Sequence, residues 1–236
     1  MKPINQFYAI LAVSLFAISS CNYIEDPGPI QYNEQSFNVS DFNRLDIGDA
    51  MQVTVVKGAF YEVNARGDRR NLDDLEVSLV GNTLVTRFSE NRNRRHTTYI
   101  TISMPELVGA NFYGATNASV GGFDTEEEFT INLSGASFAR VDVVAKTTKA
   151  NLSGASNLTL SGLSETVVSD ISGASLLKAY SLYAEDVNLI ASGASHAYVR
   201  ANRSLVAEAS GASSILYRGD ATATIKVSDV STIIKD

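Results

Sequence analysis

Asp170 and Glu208 are the side chains in this sequence best placed for acid–base chemistry. They share one column of an internal repeat, two repeats apart. Stacked at the strand spacing of about 4.8 Å, they would stand roughly 9.6 Å from each other, near the upper edge of the separation used by inverting glycosidases. Ile190 fills the same column between them, and Lys226 follows Glu208 one repeat later, so a cross-strand ion pair is the plainer reading. His96 and His196 are far apart and lack metal-ligand spacing. No serine sits in a nucleophile elbow. The residues predict no catalytic centre, no metal and no cofactor.

Binding chemistry has a better basis. Counting outward positions in each repeat places Lys178, Tyr180, Tyr198, Arg200 and Arg218 on one side over three successive repeats. Aromatic faces beside fork-shaped donors suit sugars or acidic polymers, although decoration of a solvated face is the blander alternative. The run from Glu90 to His96 holds three arginines on one loop. It reads as a solvated basic tip, with an anionic glycan or lipid headgroup as its alternative partner.

These side chains need a scaffold, and the scaffold announces itself by repetition. Ser-Gly-Ala-Ser begins at Ser134, Ser153, Ser172, Ser192 and Ser210, with a looser copy at Tyr113-Gly114-Ala115-Thr116 and another at Ser228-Asp229-Val230-Ser231. Steps of about 19 residues suit one coil of a parallel β-solenoid. Two positions before the marker stand Phe112, Leu133, Leu152, Ile171, Ala191, Ala209 and Val227. Four after it stand Ala118, Ala139, Leu158, Leu177, Ala197, Ile215 and Ile233. Both columns point inward by the strand period of two. The glycine should occupy a bend of positive φ, which Asp229 can also adopt, and the small residue after it is expected to tuck into the corner. The flanking serines form ladders whose hydroxyls satisfy corner backbone groups, or else present a flat array to sugar or ordered water.

Residues 36–105 are β-rich without the tetrapeptide and are expected to cap the 106–236 repeats. Strands are predicted at 51–56, 61–65, 75–80, 83–88 and 97–104, with a hairpin turn at Gly81-Asn82. Lys2, the apolar run Phe7–Ile18 and Ile18-Ser19-Ser20-Cys21 resemble a lipoprotein signal ending at the acylated cysteine. The expectation is a signal peptide over 1–20, lipid on Cys21 and an extended tether over 21–35 containing Pro27-Gly28-Pro29. Loss of Lys2 takes the net charge from −7 to −8, which argues against nucleic acid as a partner.

Phe42-Asn43-Arg44-Leu45, Ile47-Gly48-Asp49-Ala50, Val53-Thr54-Val55, Gly67-Asp68 with Asn71-Leu72, Gly81-Asn82-Thr83-Leu84-Val85 and the Ser-Gly-Ala-Ser series together resemble the auto-transporter adhesin, head GIN domain family of Bacteroidetes-type envelope lipoproteins. The resemblance spans about residues 37–230. It implies an all-β, solenoid-like fold and an envelope location, and it brings no catalytic residues. The sequence therefore predicts a lipid-anchored, non-enzymatic envelope protein, in the outer membrane, serving adhesion or extracellular glycan binding. Its rivals are a self-associating structural module, which would form homo-oligomers through its ends or serine face, and a solenoid polysaccharide lyase or hydrolase.

Overall fold

The computed structural model describes residues 28–90, 92 and 94–236. The expected signal segment, Cys21 and the start of the tether lie outside the described residues. The molecule is an all-β solenoid in which each rung is two arms joined at a tight corner. One wall collects the arms before the corner: β2 (Arg44–Ile47), β6 (Thr83–Phe88), β8 (Gly109–Phe112), β14 (Ser204–Ala209) and β16 (Thr222–Val227). The other collects the arms after it: β3 (Gln52–Lys57), β7 (Tyr99–Met104), β13 (His196–Arg200), β15 (Ser214–Arg218) and β17 (Thr232–Lys235). Between them run four long strands, β9 (Asn117–Leu133), β10 (Phe138–Leu152), β11 (Asn157–Ile171) and β12 (Leu176–Ala191), whose first halves belong to the second wall and second halves to the first. Each bends in its middle. In β10 the buried positions run Val141, Val143, Ala145 and then Thr148, Ala150, Leu152, so the inward parity changes where its pairing with β9 shifts register between Ala145 and Thr147.

The predicted columns stack as drawn. Leu133 pairs with Leu152, Leu152 with Ile171, Ile171 with Ala191 and Ala191 with Ala209, all parallel. Phe112, Phe129 and Leu133 are at most 2% exposed, because alternate side chains of both walls meet inside. Only the last rung departs. Ile225 and Val227 are 43% and 47% exposed where Ala207 and Ala209, one rung earlier, are 0% and 3%. No further rung covers them.

The corners correct one expectation. Glycine takes the bend at positive φ (75° at Gly154), but the alanine after it points to solvent, and the next serine fills the corner. Ser137, Ser156 and Ser213 are at most 2% exposed, and each Oγ donates to the carbonyl three residues back at 2.7–2.8 Å. Those hydroxyls are committed to the backbone, and Ser175 and Ser195 of the same column are at most 1% exposed, so the column presents no flat hydroxyl array to solvent.

On the outer face of the first wall, amides form a ladder: Asn132 Nδ2 donates to Asn111 Oδ1 at 2.6 Å, and Asn151 Nδ2 donates to Asn132 Oδ1 at 2.8 Å. Asn132→Ala removes both half-solvated bonds and should cost about 1 kcal/mol, read as a lowered urea midpoint at unchanged slope.

The N-terminal region is more than a lid. β2 and β3 form a complete rung, joined by Asp49-Ala50 at φ 61° and 58°, and they pair in parallel with β8 and β9. β6 and β7 form another beyond it, paired with β2 and β3. Antiparallel strands finish both walls: β5 (Leu75–Val80) on β6, β4 (Glu62–Asp68) on β7, and β1 (Tyr32–Phe37) on β4. The expected tether therefore ends sooner than residue 35, since Tyr32 to Gln35 lie in β1, where their amides find partners in β4. A short helix, α1 (Arg69–Leu72), is N-capped by Asp68, which accepts from Arg70 N.

Candidate functional site

The outward parity of β12 and β13 carries most of the predicted patch. Thr159, Lys178 and Tyr198 are register partners on successive strands of the second wall. With Tyr180 and Ser181 they line a shallow recess of about 360 Å³ whose walls are mainly apolar. Tyr180 and Tyr198 meet edge to face, with centroids 5.6 Å apart and planes at 79°. Arg218 lies over the Tyr180 ring, its guanidinium carbon 4.1 Å from the centroid. Asp236 ties the group together: its Oδ2 accepts from Tyr180 Oη at 3.0 Å and from Arg218 Nε at 2.8 Å. Desolvation, then the bond to Asp236, pushes the Tyr180 phenol up to about 12, so it stays a neutral donor throughout the physiological range.

Arg200 departs from the predicted patch. Its guanidinium carbon lies 4.6 Å over the Tyr183 ring instead of the Tyr180–Tyr198 pair. The cause is a bulge: Thr159 pairs with Lys178 but Ser161 pairs with Ser181, so β12 holds one extra residue and both Tyr180 and Ser181 face out. Lys178, Tyr180, Tyr198 and Arg218 are brought together. Sequence counting missed Thr159, Ser181 and Asp236. The 20-residue step between Gly173 and Gly193, one longer than the two before it, was the available signal for the bulge.

The carboxylate pair is dismantled by its neighbours. Glu208 Oε2 lies 3.1 Å from Lys226 Nζ, both exposed, and Ile190, 49% exposed, separates it from Asp170. The basic loop is not a free tip either. Arg92 and Arg94 both reach Asp74, at 2.5 and 2.8 Å, and Arg94, its side chain only 11% exposed, lies 3.8 Å over Phe88. Among the described residues no group of three or more histidine, cysteine, aspartate or glutamate side chains could hold a metal ion, and no helix is long and apolar enough to cross a membrane.

Comparison with solved structures finds the same architecture. A "putative adhesin" of Bacteroides fragilis NCTC 9343 superposes with a TM-score of 0.83 at 21% identity, covering 87% of this chain and 97% of that one. A "putative lipid binding protein" of Parabacteroides distasonis ATCC 8503 gives 0.66 at 16% identity, covering 87% and 96%. A "putative adhesin" of Parabacteroides merdae ATCC 43184 gives 0.64 at 15%, also covering 87% and 96%. Likeness at this identity speaks for the fold alone. Among curated proteins no relative matches. The model of one family, described as "Putative auto-transporter adhesin, head GIN domain", matches residues 41–221, and with the rungs, corners and capping strands in place over that same span, the chain belongs to this family.

Proposed function

We propose that this chain is a non-catalytic cell-envelope adhesin, held on the outer membrane by lipid at Cys21, that binds glycan in the Tyr180–Tyr198 recess. The observation that carries the reading is two tyrosine rings set edge to face on a flat β surface, with the Lys178 ammonium and the Thr159 and Ser181 hydroxyls around them. Such a surface offers a sugar ring an apolar floor and hydroxyl partners at its edge, and it costs little ordering because the rings are already held. The family's adhesin description supports the role, and the lipobox-like Ile18-Ser19-Ser20-Cys21 supports the anchor. The ion-paired Glu208 supports the absence of catalysis.

A glycan array with the mature chain tests the recess. Tyr180→Ala with Tyr198→Ala should lower retention at least tenfold while melting shifts little, because both rings lie on the outer face. Equal retention by the double variant would remove the recess from consideration. Cys21→Ser should move the protein from the membrane to the soluble fraction. Appearance of new reducing ends from acidic polysaccharide, abolished by Asp170→Asn, would instead establish turnover.

A second reading, self-association, draws on the apolar last rung, where Ile225, Val227, Val230 and Ile234 are exposed. Sedimentation of the chain with and without Val230→Glu distinguishes it: a concentration-dependent oligomer lost in the variant supports association, and a monomer in both excludes it.

A further inference from the structure

A second cleft lies off the repeats. It measures about 570 Å³ and is lined by Ile30, Tyr32, Arg66, Arg95, His96 and Tyr99, where β1, β4 and β7 meet the loop before β7. Its setting is electrostatically distinct. Its lining carries the guanidinium groups of Arg66 and Arg95 and, among the described residues, no carboxylate. The nearest carboxylates are already engaged: Asp68 accepts from Arg70 Nε and Nη2 at 2.8 and 2.7 Å, and Asp74 accepts from Arg92 and Arg94. Glu34, opposite Arg66 in the β1–β4 register, is the exposed acid at the cleft's rim.

Arg66 and Tyr99 are cross-strand partners, with the guanidinium carbon 5.3 Å from the ring centroid. The ring is 42% exposed, and Tyr32 on the neighbouring edge strand is 77% exposed. A smaller groove of about 180 Å³ continues from the same two residues, with Glu34 on its wall beside the amides and hydroxyls of Gln52, Asn64 and Thr101. The arrangement is therefore a cation beside aromatic faces, running into a groove of amide and hydroxyl groups with one carboxylate, Glu34, that can accept from sugar hydroxyls.

We propose that this cleft is a binding site for a carboxylate-bearing saccharide. Arg66 takes the carboxylate with its planar fork, Tyr99 and Tyr32 lie along the ring faces of the acidic sugar, and Gln52, Asn64 and Thr101 take hydroxyls of the sugar that follows. The site goes beyond the recess described above. It lies on the same wall but six strands from Tyr198, about 29 Å away at the strand spacing, and uses none of its residues.

Calorimetric titration of the mature chain with tetragalacturonate, its fully methyl-esterified form, a hyaluronan tetrasaccharide and sialyllactose tests the assignment. The expected result is binding of at least one acid sugar that weakens as salt rises, tenfold or more weaker binding of the ester where tetragalacturonate is the ligand, and a tenfold loss in Arg66→Gln and in Tyr99→Ala. Arg66 is exposed, so melting of Arg66→Gln should be unchanged, and Tyr198→Ala should bind as wild type. Three results would overturn the proposal: no binding of any of the acid sugars, equal binding of acid and ester, or a loss that follows Tyr198→Ala and spares Arg66→Gln. Because the two variants separate the sites, the recess can fail while the cleft stands, and the reverse.

Discussion

Gly154→Ala should destabilise the fold by about 3–5 kcal/mol, lowering the melting temperature by roughly 10 °C or more. The added methyl would lie 2.4 Å from the carbonyl oxygen of Gly135 in the preceding rung, and that oxygen already accepts the Ala155 amide at 2.7 Å. Restoring an ordinary contact requires the two corners to part by more than half an ångström, which weakens the bond just where rungs are closest. The positive φ adds about 1–2 kcal/mol for any residue with a Cβ. Gly81→Ala isolates that second contribution, since Gly81 has φ +62° but nothing within 4 Å of the new methyl. It should cost only about 1 kcal/mol. Equal losses in the two variants, measured by urea denaturation, would show that corner contact contributes nothing. The ends of the column already illustrate the rule. Asp49 and Asp229 take the glycine's place at positive φ, the one accepting from Phe88 N at 3.2 Å, the other from Gly211 N at 3.0 Å. At the second of these the corner bond, Val230 N to Gly211 O, is 3.1 Å instead of 2.7 Å.

Asp68→Asn is expected to cost about 2–4 kcal/mol. The carboxylate is 2% exposed and accepts four bonds, from Gln31 N at 3.1 Å, from Arg70 N at 2.9 Å and from Arg70 Nε and Nη2. Removing the charge takes the Asp68 carboxylate away from the partly buried Arg70 guanidinium, and breaking a buried pair costs about 3–5 kcal/mol when burial is complete. Here the Arg70 side chain keeps 26% of its exposure, which reduces the figure. Bonds from Arg70, with help from the backbone amides of Gln31 and Arg70, hold the Asp68 carboxyl well below its ordinary value of 3.8 despite opposing desolvation. A folded-state value below the unfolded one means that the unfolded chain binds the proton more readily. This share of stability is therefore complete above about pH 4 and drains away as pH falls below it toward the folded-state value. Thermal melts between pH 6 and pH 2 should show a steeper decline for wild type than for Asp68→Asn. Parallel curves would mean that Asp68 is not the titrating group.

The repeats were open to reading because stacking imposes one side-chain type per column. Phe112 through Ala209 had to be apolar, and Asn111, Asn132 and Asn151 had to tolerate solvent. The burial of Ser156 was legible too. It sits two residues after the glycine, in phase with inward Leu158, and following the alternation through the corner would have placed it inside and Ala155 outside. The extra rungs at the N-terminus were hidden for a different reason. In one the marker glycine is Asp49, whose Cβ meets no tight corner below it, and in the other the corner is replaced by the loop from Ser89 to Thr98. At the recess, parity alone placed Lys178, Tyr180 and Tyr198. It misplaced Arg200 because one inserted residue in β12 carries Tyr183 to the outer face, where its ring draws the guanidinium away. The Arg66 cleft had no sequence signature, since Tyr32, Arg66 and Tyr99 belong to strands whose antiparallel pairing no local pattern records.

The order of rungs along the axis does not follow the order of synthesis. The segment Arg44–Lys57 is wedged between the rung of β6 and β7 on one side and that of β8 and β9 on the other. Its two flanks are closed by residues that come some 40 and 65 positions later in the chain. A polypeptide emerging N-terminus first cannot complete this wedge until it has been extended to about Val120. Assembly must wait for that moment, and thereafter each new length of about 19 residues can zip onto the edge left by the one before it.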